Sequence, residues 1–172
     1  EFELRPGFAV DLREEKPSGG PWDLSRPGDA EELKTLQSEQ DPLLLLGSPP
    51  GILFGFIPDA RHRPGRTSGE CIQEARTHLR ESVSAYKRQI DRDPVFLHEH
   101  PSGSKAFEQP EMIELIADDR VYAIDGPICK WNITGHKGWA PGRPVFREER
   151  VRWVTNSERL ADRLRSLTTE AD

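Results

Sequence analysis

The chain has 172 residues, with 24 Lys plus Arg against 30 Asp plus Glu and a formal net charge of −6, so one domain over 1–172 is expected. Only 34% of residues are apolar and 31% are charged, and 14 Gly with 15 Pro point to a modest core joined by long loops rather than to a disordered chain. No apolar run nears the roughly 20 residues of a membrane helix, no signal peptide opens the chain, and Cys71 with Cys129 makes neither a disulfide framework nor a zinc set, so an intracellular protein with no membrane partner is expected.

Phe8, Ala9 and Val10 follow the turn signal Pro6-Gly7 and run into Asp11, which predicts a short strand ending on an acid. Residues 12–28 form a Pro- and Gly-rich loop with Trp22 as its one large anchor and Asp23 beside it. Asp29 is expected to cap a helix through Gln40, with Leu33 and Leu36 on its buried side. Residues 43–46 are four Leu without alternation, which suits a strand covered on both faces in a parallel sheet. That strand stops at Gly47-Ser48-Pro49-Pro50-Gly51.

A loop rich in Gly, Pro and Arg reaches Gly69. Ile72, Ala75, Leu79, Val83, Tyr86 and Ile90 then recur at steps of three and four, predicting a helix from about residue 68 to residue 92. Val95, Phe96 and Leu97 make a second buried strand that ends in His98-Glu99-His100-Pro101. Residues 109–117 read as a helix with Met112, Ile113, Leu115 and Ile116 inward, Pro110 being tolerated in its first turn. Residues 121–124 and 151–154 are candidate strands, separated by an excursion that carries Trp131 and Trp139. A helix over 157–167 places Leu160, Leu164 and Leu167 inward. Alternation of helix and strand on this scale predicts an α/β layer fold, with a mostly parallel sheet flanked by helices.

In open α/β sheets, ligands bind beyond the carboxyl ends of the strands. That rule selects Asp11 with the Trp22-Asp23 loop, the turn after Leu46, and the end of the 95–97 strand. His98 and His100 alternate with Glu99, so either the pair or the acid faces the core, and the buried member must be paired. No third ligand accompanies the two histidines, and no metal site is expected. Cys71 has no neighbouring base or cation cluster to activate it.

The ordered set Gly47-Ser48-Pro49-Pro50, Phe96-Leu97-His98-Glu99-His100-Pro101 and Trp153-Val154-Thr155-Asn156-Ser157 resembles the methyltransferase-like domains of retroelement-type polyproteins. Those are similar to class I S-adenosylmethionine-dependent nucleic-acid methyltransferases, and the resemblance covers about residues 7–168. It implies a Rossmann-like fold in which Asp11 accepts hydrogen bonds from the cofactor's ribose, with Trp22 and Asp23 by its adenine and Gly47 at the cofactor side. Ser48, Pro49 and Pro50 would wall in a flipped base, and Glu99 would contact the base edge.

Arg61, Arg63 and Arg66 would face nucleic-acid phosphates, and Arg150 with Arg152 is similar to the paired arginines of the cytosine carbon-5 branch. Gly51 stands where that branch has its nucleophilic Cys and the amino-methylating branch a stacking ring, and it supplies neither. No glycine-rich cofactor turn is recognisable, so the fold's first strand is expected upstream of Glu1 or from a partner, a second copy included. The resulting expectation is S-adenosylmethionine-dependent methyl transfer to a base of DNA or RNA. The alternative is a catalytically inactive nucleic-acid-binding or assembly module.

Overall fold

The structure is a computed structural model that describes residues 5–11, 13–49, 68–127 and 150–169. Helix α1 (Pro27–Gln40) begins on a proline, whose fixed φ and missing N–H suit a first turn, and buries only Asp29, Leu33 and Gln37, a stripe at steps of four. Strand β1 (Leu44–Gly47) follows. The periodic stretch forms α2 (Ser68–Arg92), with the bounds that its apolar spacing predicts. Next come β2 (Val95–Pro101), a 3-10 turn (Lys105–Glu108) and α3 (Pro110–Ile116). Strands β3 (Tyr122–Pro127) and β4 (Arg150–Thr155) precede α4 (Glu158–Thr169).

The four strands lie in the order β1-β2-β4-β3. β1 pairs with β2 in parallel, setting Leu45 opposite Phe96 and Gly47 opposite His98. β4 runs antiparallel to both β2 and β3, with Val154 opposite His98 on one side and Ala123 on the other. β3 therefore points the same way as β1 and β2, yet only one of the three neighbouring pairs is parallel. The sheet is mixed and not mostly parallel, because apolar runs report burial and carry no information about direction.

α2 lays Ala75, Leu79, Val83, Tyr86 and Ile90 over Phe96 of β2 and Val154 of β4, and α3 closes the cluster with Met112 and Leu115. Tyr86 stacks on Phe96 with ring centroids 4.9 Å apart. The other sheet face meets α4, where the Arg165 guanidinium lies 5.6 Å over the Tyr122 ring. Tyr122 is opposite Thr155, one step along β4 from Val154, and so points away from α2.

The Thr155-Asn156-Ser157 stretch serves as a clamp. Thr155 Oγ1 donates to the Phe96 carbonyl at 2.6 Å, while Asn156 accepts from Phe96 N and donates to the Pro94 carbonyl, each at 2.9 Å. Ser157 Oγ accepts from Leu160 N, a bond that caps the start of α4.

Four expectations change. Residues 8–10 form no strand; Phe8 and Val10 instead pack against a second cluster of Trp22, Leu24 and Leu33. β1 is an edge strand among the described residues, and it is not covered on both faces: Leu43 and Leu46 are 70% and 66% exposed. Ile113 is also exposed, because α3 has only two turns and buries Met112 and Leu115 alone. Asp29 caps nothing with its side chain, since α1 starts two residues earlier; its carboxylate accepts from Asp23 N at 2.7 Å and pairs with Lys16. No helix among the described residues is long and apolar enough to cross a membrane.

Candidate functional site

Because β1 and β2 are adjacent and parallel, their carboxyl ends emerge at one edge, and two bonds tie those ends together. Ser48 Oγ donates to Glu99 at 3.1 Å, and His100 Nε2 meets the Pro49 carbonyl at 2.6 Å. A carbonyl only accepts, so Nε2 carries the proton, and Nδ1 of the neutral ring accepts from Ser104 Oγ at 3.1 Å. Ser48, Pro49 and Glu99, read from two distant stretches of sequence, thus stand together.

The histidine pair takes the core side and Glu99 the other, partly exposed face. His98 and His100 stack with centroids 5.0 Å apart, and Phe107 presents itself edge-on to both. His98 Nδ1 bonds the Tyr86 hydroxyl at 3.1 Å. That hydroxyl sits against Gly47, where an added Cβ would stand only 1.7 Å from it. Glycine is therefore required at the end of β1 by close approach. Burial, and secondarily the neighbouring His100, push His98 down to about 3, and burial raises Tyr86. Burial also lowers His100, against the Pro49 carbonyl and Glu99, which act to raise it. Both rings are neutral at pH 7. Neither histidine belongs to a three-ligand group among the described residues.

Beside β1 lies a cleft of about 410 Å³, lined by Asp11, Trp22, Gly47, Ser48, Pro49 and Tyr86 among others. Trp22 is buried in its wall, fixed by Leu24 and Leu33. Asp11 stands exposed, and hydrogen bonds from Arg13 Nε and Arg13 N hold its carboxyl below the usual carboxylate range. An ionised acceptor, an aromatic wall and a residue without a side chain thus share one cleft.

Asp23 is not among the lining residues. Its Oδ1 accepts from Ser25 N at 3.1 Å and from Ser25 Oγ, and meets His78 Nε2 at 3.2 Å. Its Oδ2 pairs with Arg26. Burial would raise the Asp23 carboxyl, but the bonds from Ser25 and His78 outweigh it and keep the group below its ordinary value.

Arg152 forks onto Asp125, with Nη2 2.8 Å from Oδ2, and its guanidinium lies 4.9 Å over Phe107. Arg150 is exposed at the start of β4. Pro50, Gly51, Arg61, Arg63, Arg66, Trp131 and Trp139 lie outside the described residues. Cys71 is buried on α2. Sequence reading passed over Glu74 and His78, whose ligand atoms gather with those of Asp23. Their spacing of four on the strongest helix was the available signal. The chain matches no protein-family model, no curated protein and no solved structure.

Proposed function

We propose that the cleft beside β1 binds an adenosyl cofactor of the S-adenosylmethionine type, and that the Ser48–Glu99 edge receives a nucleic-acid base. The observation that carries this reading is the meeting of three separate stretches, Asp11, Trp22 and Gly47-Ser48-Pro49, around one cleft. Its volume, about 410 Å³, falls in the range of about 300–1,000 Å³ usual for small-molecule sites.

The donor set fits the cofactor. Asp11 would accept from the ribose hydroxyls, Trp22 would offer an apolar wall to the adenine, and the Gly47-Ser48-Pro49 backbone would line the cofactor side of the cleft. The bound cofactor would supply an activated methyl group. Glu99 would accept from a donor on the base edge, with Ser48 Oγ orienting its carboxylate. His100 would hold the Pro49 carbonyl in place through Nε2. Gly51 offers no nucleophile, so these residues bind and orient and no covalent step on cytosine is available to position 51.

That same glycine favours one second reading, a domain that binds nucleic acid without catalysis. Calorimetric titration with S-adenosylhomocysteine, run on the natural chain and on Asp11→Ala, separates the two. The cofactor reading expects saturable binding that weakens at least tenfold in the variant, as loss of a charged hydrogen-bond partner requires. Absence of binding, or equal binding in both proteins, refutes it. Salt-sensitive binding of a single-stranded oligonucleotide with no response to the cofactor would support the second reading.

A further inference from the structure

Glu74 and His78 are four residues apart on α2, so both project from one helical face. Asp23, on the loop before α1, meets that face, and one ligand atom from each of the three lies within 4.8 Å of the others. The side chains of Asp23 and His78 are only 14% and 12% exposed. Two carboxylates and an imidazole thus converge on one point, a mixed oxygen and nitrogen donor set that a divalent cation can take up.

The spacing fits a metal ion. With bonds of about 2.1 Å, two ligands on one ion stand about 3.0 Å apart at a right angle and about 3.4 Å apart at the tetrahedral angle. His78 Nε2 and Asp23 Oδ1 are 3.2 Å apart. Glu74 supplies the third corner, its ligand atom lying within 4.8 Å of the other two. The Asp23 carboxylate is also held in one orientation, by Ser25 N and Ser25 Oγ on Oδ1 and by Arg26 on Oδ2. Outer-shell bonds of this kind fix ligand orientation in metal sites.

We infer that Asp23, Glu74 and His78 form a site for one divalent first-row transition ion of the zinc class, its remaining positions taken by water or another oxygen donor. One imidazole with two carboxylates suits zinc, whereas magnesium favours an all-oxygen set. His78 also lines the cleft, so the ion would stand beside it. The inference does not depend on what the cleft binds.

The test is calorimetric titration of the chelator-treated full chain with zinc chloride at pH 7, repeated with magnesium chloride and with the variants Glu74→Gln and His78→Gln. The site expects one equivalent of zinc, little magnesium binding, and affinity reduced at least tenfold in each variant. Gln at position 78 retains an amide donor toward Asp23, and circular dichroism with melting curves checks that both variants stay folded. Should either be unfolded, visible absorption of the cobalt-loaded natural chain replaces it: ligand-field bands shifted by nitrogen coordination support the site, and the spectrum of aqueous cobalt overturns it. No zinc binding, or zinc binding unchanged in both folded variants, also overturns the inference.

Discussion

Replacing Gly47 by alanine puts a methyl carbon 1.7 Å from the Tyr86 hydroxyl and 2.7 Å from its Cζ. A relaxed contact needs about 3.5 Å, so close to 2 Å of movement must be found. Tyr86 cannot easily supply it, being 1% exposed, stacked on Phe96 and bonded to His98. The short β1 must then pull away from β2. Overpacking typically costs about 1–3 kcal/mol and here also threatens the Tyr86–His98 bond, whose loss leaves a buried nitrogen unsatisfied at a further 1–3 kcal/mol or so. The expected destabilisation is about 3–5 kcal/mol, a large share of the roughly 5–15 kcal/mol that holds a domain. Tyr86→Phe alone should cost about 1–3 kcal/mol, and it removes the atom that the new methyl group meets first. Urea denaturation of the natural chain, the two single variants and the double variant should therefore show a double-variant cost at least about 1 kcal/mol below the sum of the singles. Strict additivity, or a Gly47→Ala change within about 0.5 kcal/mol of neutral, would refute the packing described at the end of β1.

His100→Ala removes the bond to Pro49 and leaves buried space, so stability should fall by about 2–4 kcal/mol and exchange of the Ser48 amide should quicken; unchanged exchange would count against a locked turn. Stability should also fall as pH drops. His98 is held near 3 and His100 is lowered, whereas the unfolded imidazoles titrate near 6.5. Between those values the unfolded chain takes up protons that the folded chain refuses, so each site costs up to about 1.4 kcal/mol per pH unit below 6.5, and the loss is absent above it. Urea midpoints at pH 7, 5.5 and 4.5 test this: a flat profile rejects it, and His98→Gln should reduce the slope. Arg152→Ala should cost only about 1 kcal/mol, because solvent screens the Asp125 pair, and the Asp125 carboxyl should move back up toward its ordinary range in a carboxyl-detected NMR titration.

α2 was legible because six apolar residues at helical spacing fix its bounds, and five of them, all but Ile72, form its buried face. The edge where Ser48, Pro49 and Glu99 meet was legible too, since Ser48 and Pro49 follow one apolar run, Glu99 follows the Val95-Phe96-Leu97 run within β2, and parallel neighbours run level. Direction was not legible: nothing in Arg150-Val151-Arg152 or Tyr122-Ala123-Ile124 says which neighbour a strand will take, and β4 enters between β2 and β3. Residues 8–10 look like a strand by composition but have no ladder partner among the described residues, and their apolar side chains pack on Trp22 instead. Alternation posed the choice between Glu99 and the two histidines without deciding it. The decision came from Tyr86, Ser104 and the Pro49 carbonyl, all distant or unsuspected partners, which engage both nitrogens of His100 and Nδ1 of His98 once the rings are buried. Asp23 shows the same limit, since its neighbour His78 lies 55 residues away in the chain.

The most direct test of the cleft as an adenosyl-cofactor site is a nitrogen-15 NMR titration of the chain with S-adenosylhomocysteine. Progressive, saturable shifts of the Trp22 indole N–H and of the Gly47 and Ser48 amides, with Tyr122 and Arg165 on the far sheet face unmoved, are the predicted result. A spectrum that does not change, or changes confined to residues away from the cleft, would contradict the account.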